Sequence, residues 1–408
     1  MGGRDSGARR AHRGVEVART DSRFSRRLPA STATNAFSQV VATLKAQGAP
    51  LIDLTESNPT RVGIPYPADL LMSLADSAAL QYDPAPFGLQ DARAAVAADH
   101  ARRKALVNPD DVVLTASTSE AYSWLSKLLC DPGDAVAVPR PSYPLFDHLT
   151  ALESIHVHPY ALTYDDGWAI DVDSLAAAPE RTRAVLVVSP NNPTGSYVTM
   201  GEMRELVRMC QERGWAVIAD EVFADYPLDQ ADPVTDVARR TDVLSFSLGG
   251  LSKTVGLPQL KLGWIVIGGP ASERARARDG LELIADTFLS VATPVQIAAS
   301  RLLTAGGAVR TAIHQRVRHN LTVLRAAVRR FAACEVLKVE GGWSAIIRVP
   351  ATRAEEQLVL DLLEREHVVV YPGYFFDFPR EAYLVVSLLP DPRQFAPAIE
   401  RVLRLASA

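Results

Sequence analysis

Lys253, Asp220 and Asn192 share one circumstance: each closely follows a short apolar run. Asn192 lies in the turn Ser189-Pro190-Asn191-Asn192-Pro193-Thr194-Gly195, behind an expected strand over 185–188. Asp220 and Glu221 follow an expected strand over 216–219. Lys253 comes after an expected strand over 243–246 and the pair Gly249-Gly250. Glycine lets the backbone turn tightly there and approach a ligand closely. A lysine held just past a buried strand loses its proton more readily than one in water, and its free amine can attack a carbonyl carbon. The competing reading is a solvated surface lysine. A carboxylate that ends a buried strand is costly unless paired, so a bound cation explains Asp220. In an open parallel sheet, ligands gather beyond the carboxyl ends of the strands.

An amine, a carboxylate and an amide are the set a pyridine cofactor needs. The carboxylate keeps the ring nitrogen protonated, the amide donates to the phenolic oxygen, and the lysine binds the aldehyde. Asn192-Pro193-Thr194-Gly195, then Asp220-Glu221-Val222, then Ser252-Lys253 with a cation eight positions later at Lys261, form a specific combination in that order. From Leu28 onward the chain resembles the fold-type I, class I/II pyridoxal-phosphate aminotransferases, the aspartate aminotransferase superfamily.

The resemblance implies an α/β fold of the PLP-transferase type I: a large domain with a mainly parallel sheet flanked by helices, and a smaller α+β domain. It places the large PLP-binding domain at residues 66–290 and the small domain at 28–65 and 291–408. It implies that Lys253 carries pyridoxal 5'-phosphate as a Schiff base and then serves as general base and acid. Asp220 is expected under the ring nitrogen, Asn192 at the phenolic oxygen and Tyr143, in Pro141-Ser142-Tyr143, flat on the ring. The phosphate is expected at Ser117, Thr118 and Ser119, which open a helix after the strand over 112–115, with Ser252 and Lys261 adding to it. Hydroxyls and amides at a helix N-terminus form an anion site; an ordinary helix cap is the alternative. Tyr82 is expected to reach the phosphate of a partner subunit in a homodimer, to which the region of Ser290 also contributes. The plain alternative for Tyr82 is a packed loop aromatic. Arg61, in the turn-rich loop 55–61, is expected at the mouth of the site near substrate; a surface arginine is its alternative.

Three positions depart from the family pattern. Phe223 stands where a tyrosine is usual, three residues after the ring-binding aspartate. Without that phenol the cofactor's phenolic oxygen is less stabilised, so the neighbouring imine should keep its proton and its yellow colour at neutral pH. Gly250 replaces a serine, and Lys261 replaces an arginine, which keeps the charge and loses the bidentate fork. Val385, in Val385-Val386-Ser387, stands where an arginine usually forks onto the substrate carboxylate. Arg61 and Arg393 are the cations nameable as substitutes.

The elements needed to position these residues are legible from pattern. Helices are expected over 202–212 (ending at Gly214), 274–288, 294–303, 309–331 and 355–366, with a last one from Gln394. Strands are expected over 51–54, 112–115, 135–138, 262–267, 343–349, 368–371 and 383–388. Such alternation followed by a compact C-terminal part reads as α/β with a smaller α+β lobe.

With 408 residues, 48% apolar and 22% charged, the chain has material for a large core. A net charge of −4 and a pI of about 6.1 give no reason to expect nucleic acid. Cys130, Cys210 and Cys334 are far apart and show no metal spacing, which fits reduced thiols in a cytoplasmic protein. No apolar run is long enough for a membrane span. Residues 1–27 carry eight arginines against three acids; with few apolar residues they read as a disordered basic tail, or as chain added by a misplaced start codon. The function expected is transfer of an amino group between an amino compound and a 2-oxo acid. Elimination, cyclisation or decarboxylation on the same cofactor is the rival, and a non-catalytic cofactor-binding module a more distant one.

Overall fold

The computed structural model describes residues 24–29, 35–229 and 242–408. Of the tail expected to be disordered, residues 1–23 lie outside the described residues.

The chain opens with α1 (Ala36–Ala46), whose N-cap Asn35 accepts from the Ser38 amide, and the short strand β1 (Ile52–Asp53). Next come α2 (Gln90–Arg102), β2 (Val112–Thr115), α3 (Thr118–Leu129), β3 (Ala135–Arg140) and α4 (Leu145–Leu152). They are followed by β4 (His156–Tyr164), β5 (Trp168–Ile170), α5 (Val172–Ala176), β6 (Thr182–Val188), α6 (Met200–Arg213) and β7 (Ala216–Asp220). The first half closes with β8 (Ser245–Gly250), the single turn α7 (Leu251–Thr254) and β9 (Gly263–Gly268). Helix α6 shows why bounds were readable. Thr199 and Glu202 form a reciprocal capping box at its start, and Gly214 ends it in the left-handed region at φ 68°.

These strands build one eight-stranded sheet in the order β2-β9-β8-β7-β6-β3-β4-β5. The pairs β3–β4, β3–β6, β6–β7 and β7–β8 are parallel, whereas β9 runs antiparallel to β8 and β2. Every residue of β7 and β8 is buried. A parallel sheet is covered on both faces, which is why its strands read as unbroken apolar runs. Val185 and Val187 of β6 pack with Met203 and Leu206 of α6 on one face, while Leu186 and Val188 pack with Trp124 of α3 and Leu281 on the other.

The second half contains α8 (Ala271–Phe288), α9 (Thr293–Ala305), α10 (Gly307–Val328), β10 (Glu335–Val336), β11 (Ser344–Arg348) and α11 (Glu355–Glu366). It ends with β12 (Val368–Val369), β13 (Tyr371–Pro372), β14 (Tyr383–Ser387) and α12 (Pro392–Ala406). A four-stranded antiparallel sheet forms in the order β10-β11-β14-β13. Phe395, Ala398, Ile399, Val402 and Leu403 give α12 a fully buried stripe at helical spacing; each large aliphatic side chain so buried stabilises by about 1.5–3 kcal/mol. No helix among the described residues is long and apolar enough to cross a membrane.

Two strands differ from expectation. The strand expected over 243–246 is β8, Ser245–Gly250, so the glycine pair belongs to the ladder instead of breaking it. A Cβ on Gly249 would collide with the Trp264 indole of β9, so glycine is needed for side-chain room within a pairing strand. The strand expected over 368–371 is two strands with different partners: β12 pairs parallel with β1, and β13 pairs antiparallel with β14.

Candidate active site

The carboxyl ends of β2, β3, β6, β7 and β8 lead into Ser117, Tyr143, Asn192, Asp220 and Lys253 respectively. The fold therefore brings the predicted residues to one edge of one sheet. Lys253 sits in α7 directly after β8. Burial lowers the pKa of its amine to about 8, and the nearby Asp220 opposes that shift. Its Nζ lies 4.7 Å from the Trp343 ring centroid and 5.4 Å from that of Phe223. Phe223 and Trp343 meet edge to face at 5.3 Å, so the amine rests against a two-ring wall. Aromatic faces attract the ammonium form, which also opposes deprotonation.

Asp220 ends β7 and is buried. Burial raises its pKa, and three influences pull it back: a Tyr122 hydrogen bond, the Val222 amide and the Lys253 charge. The Tyr122 phenol donates to Oδ2 at 2.7 Å, and the Val222 amide donates to Oδ1 at 3.1 Å. Tyr122 was not foreseen. It lies one turn into α3, and its partner is 98 positions away.

Ser117 is the N-cap of α3 and its Oγ accepts from the Glu120 amide at 3.2 Å. Glu120 closes the cap by accepting from the Ala116 amide at 2.6 Å, and also accepts from Ser290 Oγ at 2.7 Å. Thr118 and Ser119 open the helix, where amides lack intrahelical partners. The site is crowded: a Cβ on Gly263 would lie 3.0 Å from the Ser117 carbonyl carbon. Ser252 lies near, its Oγ 3.7 Å from where a Gly250 Cβ would be. Lys261 is exposed, in left-handed backbone at φ 51°.

Asn192 sits beside a buried polar knot. The neighbouring Asn191 donates to the Pro141 carbonyl at 3.1 Å and to Thr194 Oγ1 at 2.9 Å, and accepts from Ser142 at 3.0 Å. This ties the Asn192 loop to the Tyr143 loop. Ser344 of β11 donates to Asn192 Oδ1 at 3.4 Å. Gly195, at φ 69°, accepts from the amides of Gly341 and Glu340 at 2.9 and 3.2 Å, and a Cβ there would lie 2.7 Å from the Gly341 carbonyl oxygen. The Gly342 amide in turn donates to the Tyr226 carbonyl at 2.9 Å.

Beside these residues opens a cleft of about 710 Å³. Tyr143, Asn192, Ser344, Val385 and Ser387 line it. Ser38, Val41, Ala42 and Lys45 of α1 line it too, at three- and four-residue spacing. Tyr143 is 43% exposed, which leaves ring surface open to this space. Val385 lines the cleft. Arg61 ends a one-turn 3-10 helix, is exposed, and is not a wall residue; Ser57 of the same loop is. Arg393, in the first turn of α12, binds the N-cap residue Asp391 at 2.6 Å and stays 88% exposed, so it does not enter the cleft. Lys45 is the one lysine or arginine among the described residues that line it. Tyr82 is 71% exposed on a loop edge beside Gly88 and Ser290.

An amine held near pKa 8, a buried carboxylate already accepting two hydrogen bonds, helix N-terminal donors and an open tyrosine face fit pyridoxal phosphate. Comparison with known proteins agrees. An alanine aminotransferase of Mycobacterium tuberculosis is 28% identical over 379 residues, spanning 89% of this chain and 87% of that protein. The glutamate-pyruvate aminotransferase AlaA of Escherichia coli is 26% identical over 365 residues, 85% and 88% of the two chains. In fold, the chain is similar to a solved alanine aminotransferase from Pyrococcus furiosus, with a TM-score of 0.84, 24% identity and coverage of 94% and 99%. The family model for aminotransferase class I and II matches residues 50–402, and the chain belongs to that family of pyridoxal-phosphate-dependent aminotransferases.

Proposed function

We propose that this aminotransferase moves an amino group between a small 2-amino acid, such as alanine or glutamate, and a 2-oxo acid, with Lys253 as its reacting amine. The substrate class is supported by the alanine and glutamate-pyruvate aminotransferases among its relatives. The observation that carries the residue assignment is the buried Lys253 amine, lowered to about 8 and facing Asp220. In this reading Lys253 would hold the cofactor at its aldehyde carbon, Asp220 would keep the ring nitrogen protonated, and Asn192 would donate to the phenolic oxygen. Ser117, Thr118, Ser119, Ser252 and Lys261 hold the phosphate. When bound, the cofactor supplies a conjugated electron sink for the substrate's Cα electrons. Released from the cofactor, a Lys253 amine near pKa 8 would take the proton from the substrate's Cα and deliver it to the cofactor's former aldehyde carbon close to neutral pH. Phe223 and Trp343 shield that amine from water.

The cleft holds the substrate, and Lys45 is the wall cation placed to meet its carboxylate in place of the arginine replaced by Val385. Arg61 at the loop mouth is the second candidate. The exposed apolar residues Leu71, Met72 and Leu80, close in sequence to Tyr82, support a homodimer in which Tyr82 crosses to the neighbouring site. The large domain is 66–290 and the small one 28–65 with 291–408. A cytoplasmic location accords with three free cysteines.

Borohydride reduction of the coloured protein, followed by peptide mass mapping, tests the assignment. A reduced cofactor adduct on Lys253, lost in Lys253→Ala, is expected; an adduct on another lysine sinks it. Amino acid panels then test the chemistry: 2-oxo product with aminated cofactor supports transfer, and ammonia or carbon dioxide release supports the rival.

A further inference from the structure

Helix α7 is one turn long, so its own hydrogen bonds cannot fix the backbone that carries Lys253. The carbonyls after the lysine are instead met by three side chains from three distant segments. The Tyr226 phenol donates to the Lys253 carbonyl at 2.5 Å. Arg310 Nε, from α10, donates to the Thr254 carbonyl at 2.9 Å. The Tyr66 phenol donates to the Gly256 carbonyl at 2.6 Å. Gly256 is at φ 65°, and a Cβ there would stand 3.0 Å from the Tyr66 oxygen, so the last bond depends on glycine. Tyr226 is fully buried and Arg310 is 9% exposed. Arg310 is itself anchored: its Nη2 lies 3.1 Å from Asp99 Oδ1 and its Nε 3.9 Å from Asp225. Arg102 bonds both Asp99 and Asp225, closing a four-membered charge network. That network joins α2, α10 and the segment after β7.

We infer that Tyr226, Arg310 and Tyr66 are positioning residues that hold the lysine turn still while the Lys253 side chain alternates between its two tasks. This rests on the reading of Lys253 as the reacting amine. The amine must leave its partner atom and return to it in every cycle, and a reacting atom displaced by about 1 Å can cost two orders of magnitude in rate. Tyr226 lies three residues past Phe223, and its hydroxyl is committed to the main chain, so it does not replace the missing phenol.

The test uses holoenzyme carrying Tyr226→Phe, Tyr66→Phe or Arg310→Lys, each close to the original in size. Three readouts are taken: hydrogen–deuterium exchange of the peptide covering 251–257, the pH titration of the bound cofactor's absorbance, and kcat beside KM. For Tyr226→Phe, exchange at 251–257 rises about tenfold, kcat falls about tenfold and KM stays within about twofold. The absorbance midpoint shifts, and borohydride still tags Lys253. The other two variants change the same readouts in the same direction, so a single misfolded variant does not decide the matter. A lower melting temperature with unchanged exchange at 251–257, midpoint and kcat in all folded variants would reduce the three residues to general stability and overturn the inference. A tag that leaves Lys253 in wild-type protein overturns the parent reading instead.

Discussion

The Tyr122 phenol donates a 2.7 Å hydrogen bond to Oδ2 of Asp220, joining the second turn of α3 to the end of β7. The bond stabilises the carboxylate form that burial disfavours. With a proton shared between Asp220 and a pyridine nitrogen, Tyr122 therefore favours its residence on the ring. Tyr122→Phe is expected to lower kcat about tenfold with little change in KM, because electron withdrawal weakens and substrate contacts do not. Nitrogen-15 NMR of labelled cofactor checks the cause: the ring signal moves toward neutral pyridine. An unmoved signal would sink this role.

Phe223 sits against the Lys253 amine and offers no donor. Wild-type protein is expected to remain yellow across neutral pH. Phe223→Tyr adds a phenol beside the same amine and should lower the absorbance midpoint by about one pH unit. A spectral titration decides it; a midpoint that stays fixed or rises contradicts the account.

Lys45 and Arg61 can be separated kinetically. Lys45→Met is expected to raise KM for amino acids about tenfold at nearly constant kcat, as loss of a charged ground-state contact does. Arg61→Ala, off the cleft wall, should leave KM within about twofold. Reversal of the two results would move the carboxylate anchor to the loop; no change in either would remove both.

Acid sensitivity has an identifiable source in His100. It is 1% exposed on α2, and burial together with Arg103 lowers its pKa to about 3. The unfolded chain takes up that proton below its ordinary value near 6.5, while the folded chain resists it until about 3. Stability should therefore fall as pH drops through that interval, by a total of ~5 kcal/mol at most. His100→Gln should flatten the decline in chemical denaturation measured from pH 7 to 4. An equal slope in both proteins would assign the effect to other groups.

Much of the candidate site is legible because its residues follow apolar runs at strand ends, where chain direction alone gathers them. Lys253, Asp220 and Asn192 needed no knowledge of long-range contact. Tyr122, Trp343, Tyr226 and Lys45 did, since nothing local distinguishes a helical tyrosine that reaches a carboxylate from one that packs in a core. The pair Gly249-Gly250 reads as a break because sequence pattern does not show the Trp264 indole lying against Gly249. The run 368–371 reads as one strand because all four residues suit a strand, and only pairing reveals two sheets. Arg393 offered a charge in sequence that Asp391 claims in the fold.

The contact at Gly195 joins two distant segments of the chain beside the cleft. Its carbonyl receives two main-chain donors from the stretch before Trp343, while Tyr226 fastens the next residue of the same stretch. That seam carries Asn192 on one side and Trp343 on the other, so main-chain bonds fix the Asn192 loop relative to the ring beside Lys253. Helix α1 is anchored separately, by Phe37 against Tyr371 and Phe375 and by Val40, Val41 and Leu44 on the core.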